Sequence, residues 1–407
     1  MKVLIKGDTH FDLTTGSFNR NEEIKVAYKA IIDYAIKNDI KCFVDLGDEF
    51  DNRVIEDYSV PAFIVGQLNR LKKNDIEIIR VRGNHDYPRS KKEQTVGTML
   101  DELLEVSGIT NKRNIIDHTR IGDLFITTVG WIYPFAAGGD EVGKYIENEL
   151  FSISPYLGNG VAVPRENDPK RWIVCAHLNP PYVKAGEHET QIKFDGPSIP
   201  IGVFNGFGEF DAVFLGHIHN SSTTHEYGDK DIPCVFPGSI INTSFGDKGE
   251  RGFVVYDSDT SGIETVRLDA LCEVKEMVVV EYMFKATDTE SAKKEINTFV
   301  KEIVTQENLA GDGSIVKYVI TINGVSPTGI NTSVLKKELI SLSSSVLNVA
   351  YVRSVEFKFD EDKKVVEQHK AKALLKAVTV EDKVTEYMKL YKPPSEDVVR
   401  KVVGRIK

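Results

Sequence analysis

Val3-Leu4-Ile5-Lys6-Gly7-Asp8-Thr9-His10 runs from an apolar stretch of strand type straight into two side chains able to bind a metal. The same join recurs four times along the chain. Cys42-Phe43-Val44 leads to Gly47-Asp48-Glu49-Phe50-Asp51, and Ile78-Ile79-Arg80-Val81 leads to Gly83-Asn84-His85-Asp86. Trp172-Ile173-Val174-Cys175 leads to Ala176-His177, and Ala212-Val213-Phe214-Leu215 leads to Gly216-His217-Ile218-His219. Five of the nine histidines lie inside these segments. Open α/β sheets gather ligands at the carboxyl ends of their strands, so five such loops are expected to converge on one site.

Taken singly, the segments say little. An Asp after a glycine commonly begins a turn, and a lone His177 is more often a satisfied core histidine than a ligand. All five, in order and each after a strand, point to a two-metal centre. Divalent ions such as Mn2+ accept carboxylate, amide-oxygen and imidazole donors together. A structural zinc site would use cysteine pairs, and the chain has no Cys-x-x-Cys. Asp-x-His at a strand end can place two side chains on one ion. Gly47 before Asp48 permits a close backbone approach. His217 and His219, two apart in an extended loop, face the same way. Asn84 adds a neutral oxygen. His118, His188, His225 and His369 lack such a context and read as packing or surface residues.

The rest of the chain organises around this core. At 407 residues it exceeds one hydrophobic core, so two or three domains are expected. Its 41% apolar and 28% charged content is globular, and no apolar run is long enough for a membrane span. The first strand begins at once, which leaves no room for a signal peptide. Cys42, Cys175, Cys234 and Cys272 are scattered and read as buried free thiols of a reducing cytoplasm. The net charge of −10 argues mildly against a broad nucleic-acid surface, but two divalent cations would offset part of it at the site. The charge is also uneven. Residues 361–407 carry 12 Lys and Arg against 8 Asp and Glu, a net +4, which leaves −14 for the remainder.

Ile24, Ala27, Tyr28, Ile31, Ile32, Ala35 and Ile36 recur at helical spacing, and a second helix is expected over Phe63–Leu71, opened near Ser59 and Pro61. This alternation with strands is the mark of α/β packing. Strands dominate from Leu124 onward, with Pro134–Asp168 a Gly-rich excursion. Near Val274 a second unit begins. Met277–Phe284, Ile315–Ile322 and Val349–Phe359 read as strands, separated by helices around Ala292–Val304 and Val334–Leu342. Beyond the charged run Asp360–Lys364, Val384, Tyr387, Met388 and Tyr391 share a helical face. After Pro393-Pro394, Val398, Val399, Val402, Val403 and Ile406 make a second apolar stripe. Such short helices need a surface to dock on, in this chain or a partner.

The five segments resemble the signature of the calcineurin-like metallophosphoesterases: Asp-x-His, Gly-Asp-x-x-Asp, Gly-Asn-His-Asp, a lone His and Gly-His-x-His. Within that group the chain resembles the nuclease subunits of the SbcCD and Mre11–Rad50 type double-strand-break complexes. Phe236-Pro237-Gly238-Ser239, Phe245-Gly246-Asp247-Lys248-Gly249 and Gly252-Phe253 match how those nuclease domains close. The resemblance implies an α/β fold: a sheet sandwich flanked by helices (1–274), a small α/β capping and DNA-selecting domain (275–360), and a linker with a helical ATPase-binding pair (361–407). It implies that Asp8, His10, Asp48 and His219 hold one ion, and that Asp48 as the bridge, Asn84, His177 and His217 hold the other. The ions would be Mn2+, with Mg2+ the alternative. His85 would act at the leaving oxygen with Asp51 orienting it, and Asp86 would support its loop. Tyr87-Pro88-Arg89-Ser90 departs from the pattern.

The resemblance further implies metal-dependent cleavage of DNA phosphodiesters, exonucleolytic or endonucleolytic, in the cytoplasm and away from membranes. The implied partners are DNA, a SbcC/Rad50-type ATPase and a second copy of the chain within a heterotetramer. Arg53, Arg89, Lys91 and Lys92 follow the motif loops and are candidates for holding phosphates. Val384, Tyr387, Met388, Val398, Val399, Val402, Val403 and Ile406 are candidates for the ATPase contact. The alternative reading is a phosphoprotein, nucleotide or cyclic-nucleotide phosphoesterase, because Gly47-Asp48-Glu49-Phe50-Asp51-Asn52-Arg53 is similar to the protein-phosphatase version of that motif.

Overall fold

The computed structural model describes residues 1–55, 57–86, 95–106, 116–131, 170–178, 210–224, 232–247, 250–305, 314–323, 329–347, 349 and 351–360. The chain forms two compact units, Met1–Lys275 and Glu276–Lys407. All of Pro134–Asp168, the basic residues Arg89, Lys91 and Lys92, and the whole segment 361–407 lie outside the described residues.

Two sheets build the first unit. One contains β1 (Lys2–Lys6), β4 (Cys42–Asp45), β5 (Glu77–Arg80), β12 (Gly252–Asp257) and β13 (Gly262–Arg267), in the order β13-β12-β1-β4-β5. β1, β4 and β5 run parallel, whereas β12 pairs antiparallel with β1 in the register Leu4 to Val255. The other sheet contains β6 (Ile116–Ile121), β7 (Leu124–Val129), β8 (Arg171–His177), β9 (Ala212–Gly216), β10 (Ser222–Thr224) and β11 (Cys234–Phe236). Its order is β10-β11-β9-β8-β7-β6, with β7, β8, β9 and β11 parallel. A two-strand hairpin of β2 (Thr14–Thr15) and β3 (Phe18–Asn19) stands apart from both.

Side-chain alternation along each strand decides what lies on either side. Val3 and Ile5 join Val44, Ile79, Ile126, Ile173, Phe214 and Val254 in one buried layer drawn from both sheets. Leu4, between them, faces the opposite way with Phe43, Ile78, Phe253 and Val255, onto helices. Those helices are α1 (Asn21–Lys37), α2 (Ser59–Lys72) and α3 (Val96–Val106). In α1, Ile24, Ala27, Tyr28, Ile31, Ile32 and Ala35 are buried, the stripe that the spacing predicts. Glu22 and Glu23 in its first turn and Lys37 in its last complement the helix dipole. Pro61 sits in the first turn of α2, where its missing N–H costs nothing. No helix was expected from the sequence between Val81 and Leu124. α3 supplies one, burying Val96, Leu100 and Leu104 at four-residue spacing.

Among its described residues the second unit has three parallel strands, β14 (Met277–Lys285), β15 (Ile315–Asn323) and β16 (Tyr351–Asp360), in the order β14-β15-β16. Its helices are α4 (Thr289–Thr305) and α5 (Thr332–Val346). Val280, Phe284, Tyr318, Ile320 and Ile322 pack with Ala292, Ile296, Val300, Leu335 and Leu339 as its core. Asn331 caps α5 by accepting from Val334 N at 3.2 Å. Among the described residues no helix is long and apolar enough to cross a membrane.

Candidate metal centre

The carboxyl ends of β1, β4, β5, β8 and β9 carry the five segments, and their side chains meet. Two clusters stand side by side: Asp8, His10 and His219, and Asp48, His177 and His217, the donor atoms of each lying within 4.8 Å of one another. In the first, His10 Nε2 is 2.9 Å from His219 Nε2, and Asp8 Oδ2 is 3.5 Å from His219 Nε2 and 3.8 Å from His10 Nε2. In the second, Asn84 Oδ1 lies 3.1 Å from His177 Nε2 and 3.0 Å from His217 Nδ1, and Asp48 Oδ2 lies 3.3 Å from His177 Nε2.

The donor chemistry fits divalent ions. His177 Nδ1 donates to the Leu46 carbonyl at 2.8 Å, so in the neutral ring Nε2 carries the lone pair, aimed at two oxygens. Thr243 gives its hydroxyl proton to Asp247 at 2.8 Å and therefore accepts from His219 Nδ1 at 2.6 Å. His219 Nε2 is thus also a lone pair, facing another ring nitrogen. Asp8 Oδ2 is buried without a hydrogen bond. Acceptors turned on acceptors at these spacings need a cation between them. Ligands about 2.1 Å from one ion at right angles sit about 3 Å apart, close to the shorter distances in both clusters.

Protons play that part in the chain without metal. Burial opposes charge on His10, but Asp51, Asp8 and Asp48 outweigh it and lift its pKa to about 10. Burial likewise opposes charge on His177, and Asp48 raises it to about 9. Asp48 and Asp8 are held below the usual carboxylate range despite burial, Asp48 chiefly by His177 and Asp8 chiefly by His10. Burial, with the charge of His177, pushes His217 down to about 4; burial, with His10, also lowers His219.

The loops are tightly constrained. His10, Asp48 and His217 adopt left-handed φ angles of 54°, 48° and 83°, a strain of about 1–3 kcal/mol each that clusters at functional sites. Gly216 admits no side chain, because a Cβ there would lie 2.8 Å from His177 Nδ1 and 3.1 Å from Asp8 Oδ1. Asp86 is buried and accepts from Gly83 N at 2.8 Å, Asp48 N at 2.9 Å and Glu49 N at 3.2 Å. Its pKa rises to about 6 through burial and the charge of Asp48.

His85 is half-buried. Its backbone N–H donates to Asp48 Oδ1 at 2.8 Å, and its Nδ1 donates to the carbonyl of Asp51 at 2.5 Å. That leaves Nε2 as its working nitrogen. The Asp51 carboxylate instead faces His10, with Oδ1 3.3 Å from Nδ1. Of Asp51 it is the main-chain carbonyl that meets His85, while the side chain turns to His10. The Arg53 guanidinium donates to the Asn84 carbonyl and so sits beside the second cluster.

Sequence reasoning overlooked three features. Trp131, just past β7, packs its ring 5.0 Å from that of His217 and 6.0 Å from that of His177. Thr243 and Asp247 back His219, and only the Thr-Ser-x-x-Asp turn pattern hinted at them. Beneath the loops, Lys6 is fully buried and contacts Asp45 at 2.8 Å, Glu49 at 3.3 Å and Thr9. Despite burial, Lys6 holds Asp45 at about 2, while burial and Asp45 raise Glu49 well above the usual range. A lysine within an apolar strand was the available signal.

Paired histidine–carboxylate clusters at strand ends define a candidate two-metal hydrolase centre. The calcineurin-like phosphoesterase family matches residues 1–221, over half of the chain, and the chain belongs to that family. Its members use a dinuclear metal centre to hydrolyse phosphoesters. The chain is also similar to the DNA double-strand break repair protein Mre11 of Sulfolobus acidocaldarius, 30% identical over 105 residues, or 25% of this chain and 27% of that protein. Similarity to solved structures is distant, as two examples show. One is TT1561 of Thermus thermophilus (TM-score 0.41, 14% identity, 66% of this chain and 98% of that one). The other is a dimetal phosphatase from Danio rerio (TM-score 0.38, 9% identity, 63% and 91%).

Proposed function

We propose that this metal-dependent phosphoester hydrolase is a Mn2+-dependent DNA phosphodiesterase, the nuclease subunit of an SbcCD or Mre11–Rad50 type complex. The choice of DNA rests on one observation, the 30% identity to a double-strand-break repair protein. A second unit beyond the family-matched residues 1–221 is consistent with it. In this reading that unit selects DNA, and residues 361–407 bind the ATPase.

When bound, two such ions supply an activated water and neutralise charge on the phosphoryl oxygens. The protein's own residues do the rest. Asp8, His10 and His219 would hold one ion and Asn84, His177 and His217 the other, with Asp48 common to both sets. His85, held through Nδ1 by the Asp51 carbonyl, presents Nε2 to the leaving oxygen and can give it a proton. Arg53, tied to the Asn84 carbonyl, offers positive charge to a neighbouring phosphate.

The same Arg53 placement favours a second reading. An arginine following Gly-Asp-x-x-Asp beside the Asn-His loop also suits a phosphomonoester, as in phosphoproteins or nucleotides. The deciding experiment is a substrate panel with Mn2+: linear duplex DNA, phosphopeptides, nucleotides and cyclic nucleotides. Cleavage of duplex DNA is expected. Fast turnover of the small substrates with intact DNA would overturn the nuclease reading.

A further inference from the structure

The two metal positions are backed differently. Around Asp8, His10 and His219, carboxylates stand behind the histidines. Asp247 accepts from the Thr243 hydroxyl at 2.8 Å and from Thr243 N at 2.7 Å, and that hydroxyl accepts from His219 Nδ1 at 2.6 Å. Ser244 adds two more bonds to Asp247, through its N at 3.1 Å and its Oγ at 2.7 Å, so the carboxylate is fixed in place. Asp51 Oδ1 lies 3.3 Å from His10 Nδ1. At the other position, His177 leans on a neutral carbonyl, that of Leu46 at 2.8 Å. The inner donors follow the same pattern: the first position has Asp8 to itself, whereas the second has the neutral oxygen of Asn84. His10, Asp51 and His85 also approach one another closely enough to suggest a third ion. A neutral imidazole has one lone pair, however. With His10 Nε2 turned to Asp8 and His219, its Nδ1 is an N–H that lies 3.3 Å from Asp51 Oδ1 without hydrogen-bond geometry.

We propose that the Asp8–His10–His219 position retains its ion more tightly than the Asp48–Asn84–His177–His217 position, and that Asp247, acting through Thr243, is the positioning residue that makes it so. A carboxylate behind a histidine fixes its tautomer and orientation and raises its basicity; losing such a partner typically weakens metal binding by about 10- to 100-fold. The weaker position is then the one whose occupancy follows the free metal concentration. This inference rests on the two-metal reading of the site.

Trp131 reports on the second position, because its ring centroid lies 5.0 Å from that of His217 and 6.0 Å from that of His177. Metal-free protein is titrated with Mn2+ by calorimetry, and by fluorescence in a Trp172→Phe background that leaves Trp131 as the sole tryptophan. Two binding steps are expected, the tighter one silent at Trp131 and the weaker one quenching it. Asp247→Asn and Thr243→Val should weaken the tighter step about 10- to 100-fold and leave the weaker step unchanged. Thr243→Ser, which keeps the hydroxyl, should restore it. The inference is overturned if quenching saturates with the first equivalent, or if Asp247→Asn and Thr243→Val bind like the unsubstituted protein. Uptake of fewer than two ions by the unsubstituted protein would instead remove the two-metal reading beneath it.

Discussion

The buried carboxylate of Asp86 accepts a hydrogen bond from the backbone N–H of Asp48 at 2.9 Å. Through two further bonds, to Gly83 N and Glu49 N, it ties the loop after β4 to the loop after β5. Asp86→Ala leaves three buried donors without a partner, each worth about 1–3 kcal/mol. A loss of about 3 kcal/mol or more in urea unfolding is expected, together with weaker Mn2+ uptake by calorimetry. Unchanged stability would mean that the loops hold each other without this carboxylate.

His85 should separate binding from turnover. His85→Ala is expected to lower kcat on duplex DNA by about 10²- to 10⁴-fold, the usual contribution of a general acid. Calorimetric Mn2+ affinity should stay within about threefold, because its ring meets that of His10 only edge to face, with centroids 5.2 Å apart, and belongs to neither donor set. Retained cleavage would remove His85 from the proton transfer.

The pH dependence has a definite sign. Burial disfavours charge on His10 and His177, yet nearby carboxylates raise them to about 10 and about 9 without metal. Both exceed the value of about 6.5 for an unfolded histidine. Their contribution to the metal-free fold is therefore complete below about pH 6.5 and is lost as the pH rises through 9 and 10. Metal must displace the same protons, so its affinity moves the other way. The Tm gap between Mn2+-loaded and chelator-treated protein should widen from about pH 6.5 to 9. A gap that narrows over this range would contradict the assignment.

Lys6 and Asp45 are both fully buried, 2.8 Å apart. Removing one partner of such a pair typically costs about 3–5 kcal/mol. Lys6→Met should lose that much in denaturant unfolding, and Lys6→Met with Asp45→Asn should recover part of it. A double variant no better than the single one would place the loss in packing rather than in the stranded charge.

The strands and the five loops were legible in the sequence because each depends on local pattern: an apolar run, then a turn with ligand-type residues. Strand periodicity in the second unit was legible for the same reason. What escaped notice depends on contacts between distant segments. Nothing near Gly252–Tyr256 reveals that it pairs antiparallel with β1, and nothing near Trp131 reveals that it lies against His217. The turn of the Asp51 side chain toward His10 was equally invisible, since spacing cannot tell whether a backbone carbonyl or a carboxylate will meet His85.

The pairing of β1 with β12 also bears on how the protein is made. Leu4 finds its partner in Val255, about 250 residues later. At a synthesis rate of about 5–20 residues per second, roughly 10 to 50 seconds separate the emergence of the two strands. Until then the first strand has an unpaired edge on one side, although the loop that bears Asp8 and His10 already meets the Asp48 and Glu49 carbonyls that accept from Thr9, His10 and Phe11 N. The nascent chain can therefore complete both donor sets only after His217 and His219 emerge, and its first sheet only after β12 follows them.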